Sequence, residues 1–156
     1  MSKETSAGPG IRIPPPVIYL AALVIGSVLD YQWPLSPLLG SSRYVVGPVI
    51  AITGGLIMPP VLVRFRRSGT TIDVRKPATA LITEGPYRFS RNPIYVSLTL
   101  LYLGIGTLLN NAWILILVAP VFLVMNMWVV SREERHLEAT FGEKFMRYKA
   151  AVRRWL

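Results

Sequence analysis

The sequence predicts an all-α integral membrane protein with about four transmembrane helices, a cytoplasmic amphipathic C-terminal helix and a non-Rossmann cofactor site. Three observations carry this expectation. Hydrophobic residues make up 52% of the 156-residue chain and its mean hydropathy is +0.45, too apolar for a soluble domain of that size. Uncharged apolar stretches of spanning length recur along the chain. No G-x-G-x-x-G is present, so the phosphate-binding turn of a dinucleotide fold is missing. Composition excludes more. Without cysteine there is no disulfide, thiolate metal site or cysteine nucleophile, and the single His136 cannot build a histidine cluster, so no metal site is expected. A net charge of +9 in so apolar a chain reflects membrane lipids and the positive-inside bias, not nucleic acid.

Residues 1–16 are rich in Gly, Pro and Ser and end in Pro14, Pro15 and Pro16, which reads as a flexible tail. They lack the order of a signal peptide, so the first helix is expected to stay in the mature protein. A single domain over residues 17–156 follows. Its first part, residues 17–63, holds two spans. The first, Val17 to Trp33, has no charge before Asp30 and carries Tyr19, Tyr31 and Trp33 for the interfaces. A short turn follows through Pro34, Pro37, Gly40 and Ser41. The second span, Tyr44 to Val63, contains Pro48, Pro59 and Pro60, which predict a kink, and Gly54-Gly55, which predicts close helix contact.

Residues 64–156 hold a basic connector, a helical hairpin and the C-terminal helix. The connector, Arg64 to Asn92, carries seven cationic residues, and so long a structureless segment implies function. The third span, Ile94 to Leu109, turns at Asn110-Asn111 into the fourth, Ala112 to Val130. Beyond it, Leu137, Phe141, Phe145, Tyr148 and Val152 recur at helical spacing over residues 131–156. Lysine and arginine number two in the tail, one in the first loop, seven in the connector, none in the hairpin turn and seven in the C-terminal segment. That alternation places both termini and the connector in the cytoplasm, at the inner membrane if the source is prokaryotic.

The connector meets the third helix in the stretch TALITEGPYRFSRNPIY, Thr79 to Tyr95. Asn92-Pro93 is a good helix start, and its N–H groups beside Arg88 and Arg91 suit a carboxylate. Across the hairpin, Glu133 and Glu134 follow the fourth span, and Asn126 lies at membrane depth on the same face, where a polar residue is a functional candidate or helix-helix glue. Taken by themselves, Glu133 and Glu134 read first as surface salt-bridge partners of the nearby arginines, and His136 as a surface residue. Spacing thus yields a cytoplasm-facing pocket with cations on one wall, carboxylates on the other and Tyr87 and Tyr95 between them.

The run GPYRFSRNPIY, followed about forty residues later by SREERHLEATFGEKFMRYKAAV, resembles the isoprenylcysteine carboxyl methyltransferase and phospholipid methyltransferase families of membrane enzymes. The resemblance covers Ala78 to Val152. It implies an S-adenosyl-L-methionine site contacted by Thr79, Leu81, Ile82, Tyr87, Arg91, Asn92, Pro93 and Tyr95, and by a carboxylate from Glu133 or Glu134. Asn92 stands where the isoprenylcysteine enzymes have His, so no histidine base is available there. Ser97 stands where many members have Gly.

The expected activity is methyl transfer to a lipophilic carboxylate or amine, a lipid or lipidated small molecule, with Glu133 or Glu134 as the base an ammonium acceptor needs. Arg132 and Asn126 are the substrate-binding candidates. Both Glu134→Ala and Asn92→Ala are expected to weaken cofactor binding with folding nearly intact. An NADPH-dependent membrane reductase of the sterol type is the rival enzyme, since the arginines would suit a 2'-phosphate. A four-span transporter or structural subunit would explain the hydropathy without using the connector.

Overall fold

A computed structural model describes residues 8–35 and 38–156; Lys3, in the stretch read as tail, and Pro37 of the first turn lie outside the described residues. The described residues form helices and loops without strands. They are α1 (Pro15–Gln32), α2 (Arg43–Ser68), a single 3-10 turn (Gly85–Arg88), α3 (Pro93–Leu109), α4 (Ala112–Val124), a π-helical segment (Met125–Val130), α5 (Ser131–Phe141) and α6 (Glu143–Ala151). Three helical runs are long and apolar enough to cross a membrane: α1, α2 and the continuous run Ala112–Phe141. With 17 residues, α3 is shorter, at the lower limit for a spanning helix. Val24, Val45, Ile52, Leu56 and Leu123 point outward, as side chains do when lipid is the solvent.

The helices pack up and down through their small residues. A Cβ on Gly47 would lie 2.7 Å from the Leu108 backbone nitrogen, one on Gly54 2.8 Å from the Ser97 carbonyl oxygen, and one on Gly104 2.5 Å from the Ala51 nitrogen. These pairs run antiparallel, and so do α2 and α3. Ser97 adds a buried hydrogen bond, its hydroxyl donating to the Gly54 carbonyl at 2.7 Å. This gives a physical reason for Ser at that position. On the other flank, Gly26 of α1 sits against Ile114 of α4. Backbone contact this close is how helices associate where lipid supplies no hydrophobic driving force. Gly55, by contrast, faces open space, so the predicted Gly54-Gly55 contact belongs to Gly54 alone and is made within the chain. Accordingly, Gly54→Ala should destabilise the protein by about 1–3 kcal/mol through overpacking. Gly55→Ala should be neutral or slightly stabilising. Thermal unfolding in detergent separates the two, and equal effects would contradict the α2–α3 register.

Several boundaries differ from expectation. The second helix runs through all three prolines to Ser68 and ends at Gly69 in the left-handed conformation (φ 63°), so Arg64, Arg66 and Arg67 belong to a helix and the connector proper starts at Gly69. Arginine is a good helix former and suits the negative C-terminal end of the dipole, which continues the helix past the apolar run. The C-terminal segment is not one helix: Gly142 (φ 52°, ψ −126°) breaks it. The break lets α6 fold back, and Leu137, Phe141, Phe145, Tyr148 and Val152 meet around Val61 and Tyr87 as a second core. Within the stretch read as tail, Ile11 is buried in the main core with Tyr19, Val129 and Val130. The hairpin turn is as expected: Asn110 takes the left-handed conformation, and the Asn111 side chain caps α4 at Ile114.

Candidate functional site

At the connector end of the bundle, the connector, the start of α3, α5 and α6 wall a pocket partly open to solvent, with a cavity volume of about 80 Å³. Its polar lining includes Asp73, Lys76, Arg91, Asn92, Glu133, Glu134 and His136, and its apolar lining includes Phe65, Leu81, Ile82, Leu137 and Phe145. Upstream of the two glutamates the helix widens to a π turn, Met125–Val130, in which the Ser131 hydroxyl donates to the Asn126 carbonyl at 2.8 Å. Such turns are rare and rotate everything that follows relative to a regular α-helix. Both Glu133 and Glu134 reach the cavity as a result.

The two carboxylates differ in their partners. Glu134, 6% exposed, receives Arg91 at 3.1 Å and Arg154 at 2.6 Å. Glu133 accepts a hydrogen bond from the Tyr95 hydroxyl at 2.7 Å. With both of its oxygens held by guanidinium groups, Glu134 is a structural anion. Glu133 is the carboxylate left to face a ligand. Arg91 is the converse case: one nitrogen pairs with Glu134, while its Nε and Nη1 are buried without a partner among the described residues. Buried unpartnered guanidinium donors are costly, and an anionic ligand would satisfy them.

The C-terminal residues hold this arrangement together. Arg91 N–H donates to the Arg153 carbonyl at 2.9 Å, and the Asn92 side chain donates to the Arg154 carbonyl at 2.9 Å. Arg154 then bridges to Glu134 and to the Asn126 carboxamide oxygen, which also accepts from the Trp155 indole. Residues 153–155 therefore clasp the start of α3 to α4 and α5. Asn92 makes no side-chain cap of α3, and the N–H groups of Tyr95 and Val96 both donate to its carbonyl. The helix start thus offers an anion less than expected.

Of the residues expected at the site, Leu81, Ile82, Tyr87, Arg91, Asn92, Glu133 and Glu134 line the cavity. Thr79 is exposed and its N–H donates to the Thr70 hydroxyl, while its neighbours Ala78 and Ala80 face inward. Pro93 is buried at the helix start, and Tyr95 acts through Glu133. Arg132 lies outside the cavity, over the Trp128 ring and donating to the Gly10 carbonyl at 3.2 Å. Asn126 is committed to Arg154 and Trp155. Arg88 is exposed. Sequence reasoning missed Arg154, Trp155 and the inward-facing His136, because a clasp between distant segments leaves no periodic signal.

The titratable groups of the connector and α6 enter as neutral or fixed. Burial pushes the Tyr87 hydroxyl well above its ordinary range, with the nearby Glu133 adding to the shift. Burial also raises Tyr148, against a smaller opposing effect of Arg91. Both phenols stay protonated at neutral pH, and Tyr148 donates to the Tyr87 carbonyl at 2.7 Å. Asp73 is pulled down to about 2 by the side-chain hydrogen bond from Arg75.

The phospholipid methyltransferase family model matches residues 42–144, which include α2, the connector, the hairpin and α5. The chain belongs to the phospholipid methyltransferase family. It is similar to an uncharacterized protein of Haemophilus influenzae, 42% identical over 65 residues that cover 40% of this chain and all of the other. It is also similar to the cobalt-zinc-cadmium resistance protein CzcN of Cupriavidus metallidurans, 32% identical over 125 residues, 80% of this chain and 52% of that one. The chain thus spans about half the length of CzcN. No solved structure matches it. Membership of a methyltransferase family and the apolar helices together identify a membrane protein of methyltransferase type.

Proposed function

We propose that the protein transfers the methyl group of S-adenosylmethionine to a lipophilic acceptor at the cytoplasmic face of the membrane. The observation that carries this reading is Arg91, whose two buried, unpartnered nitrogens border a cavity walled by the segments the family shares. They fit the carboxylate of the cofactor's methionine end. The cofactor supplies an activated methyl sulfonium. The chain has to orient donor and acceptor and exclude water, for which the apolar wall of Phe65, Leu81, Ile82 and Leu137 is suited.

An acceptor carboxylate would react without a base. An acceptor ammonium must lose a proton, and Glu133 is the group for that, since Glu134 is held by Arg91 and Arg154. Arg132, exposed one residue before Glu133, is offered to an acidic acceptor head at the interface. The test is calorimetric titration of S-adenosylhomocysteine into the detergent-purified protein, with NADPH in parallel. Micromolar binding of the first and none of the second is the expected result. Binding of NADPH instead would move the protein to the membrane reductases, and silence from both would leave the transporter or structural reading.

A further inference from the structure

The ion pairs and the C-terminal clasp account for Arg91, Asn92 and Glu134 in the cavity wall; His136 lines the same cavity and takes part in neither. Three residues beyond Glu133, it lies on the same face of α5, about 4.5 Å further along the helix axis. Its ring lines the cavity, and its Nε2 is buried with no partner among the described residues. Beside it, Leu137, Phe65, Leu81, Ile82 and Phe145 supply apolar wall. Apolar faces with one hydrogen-bonding atom at the edge match a flat heterocycle, which buries its ring and presents polar atoms only at its rim. Arg91 takes the anionic part of the ligand, and a heterocycle is the part of the same molecule that an apolar wall with one polar edge atom would hold.

We propose that His136 is a specificity-determining residue whose Nε2 hydrogen-bonds the edge of the purine of an adenosyl ligand in this cavity. The proposal rests on the methyltransferase reading and deepens it. An imidazole nitrogen can accept from the 6-amino group or donate to the neighbouring ring nitrogen N1, which carries a proton in the 6-oxo purine. Either bond is lost or mismatched when the 6-amino group becomes a 6-oxo group.

Two measurements on the full-length protein in detergent test this. In the first, S-adenosylhomocysteine and its 6-oxo analogue S-inosylhomocysteine are titrated into wild type, His136→Gln and His136→Leu. Wild type should prefer the adenosyl compound. His136→Leu should weaken its binding about tenfold, the equivalent of one neutral hydrogen bond, and lose most of the preference, while His136→Gln keeps most of both. In the second, the ring nitrogens of the sole histidine give a unique resonance in tag-free, 15N-histidine-labelled wild type, and saturating S-adenosylhomocysteine should shift it. Unchanged affinity and preference in His136→Leu, or an unmoved resonance in wild type that does bind, would overturn the His136 assignment and leave the methyltransferase reading standing. No binding to wild type would overturn both.

Discussion

Glu134→Ala is expected to lower the unfolding free energy of the detergent-solubilised protein by about 3–5 kcal/mol, the cost of leaving buried charges without their partner. Glu134 is 6% exposed and pairs with Arg91 and Arg154 at once. Removing it leaves two cations in a site built for one anion, and it detaches Arg154, through which the C-terminal residues hold Asn126. The sequence alone led to the opposite expectation of nearly intact folding, because a carboxylate on the wall of a cofactor pocket reads as a ligand contact and not as the partner of two arginines. Glu134→Gln should fall between, keeping an acceptor for one guanidinium without its charge. Glu133→Ala, which removes one hydrogen bond with Tyr95, should cost about 1 kcal/mol. Thermal unfolding followed by circular dichroism, together with limited proteolysis of the C-terminus, reads the difference; an unshifted midpoint in Glu134→Ala would refute the structural role.

The extent of the helices was legible in the chain because hydropathy is a local signal. The end of the second helix was less so. The expected span stops at Val63, yet α2 continues to Ser68, since flanking apolar and basic residues favour helix and neighbours can compensate the hydrogen bonds lost at Pro59 and Pro60. Gly142 was equally opaque: its positive φ turns the amphipathic stretch into two helices, although the five apolar residues seen in the pattern do share one core. Site residues from the two motifs were recoverable, as Arg91, Asn92, Glu133 and Glu134 show. What they do to one another was not. Whether Glu134 faces a ligand or Arg154 depends on a contact across 20 residues made possible by the Gly142 break, and no spacing rule encodes it.

Arg91→Ala should behave in the reverse manner to Glu134→Ala, with a large effect on binding and a small one on stability. The fold keeps its charge balance because Arg154 still holds Glu134 at 2.6 Å, and the variant removes the two nitrogens that are buried without partners. Binding of S-adenosylhomocysteine should weaken about a hundredfold, the scale of a charge-assisted hydrogen bond to a carboxylate in a desolvated site. Arg91→Lys should recover part of that loss, since an ammonium keeps the charge but cannot present the planar fork. S-adenosylhomocysteine bears the same carboxylate as the cofactor, so titrating adenosine, which lacks it, supplies the internal control: its weaker binding should be the same in wild type and Arg91→Ala. If Arg91→Ala binds S-adenosylhomocysteine as wild type does, the anion is held elsewhere. If both ligands weaken together, Arg91 shapes the cavity without contacting the carboxylate. Only the selective loss fits an arginine anchored by Glu134 on one side and left open to the ligand on the other.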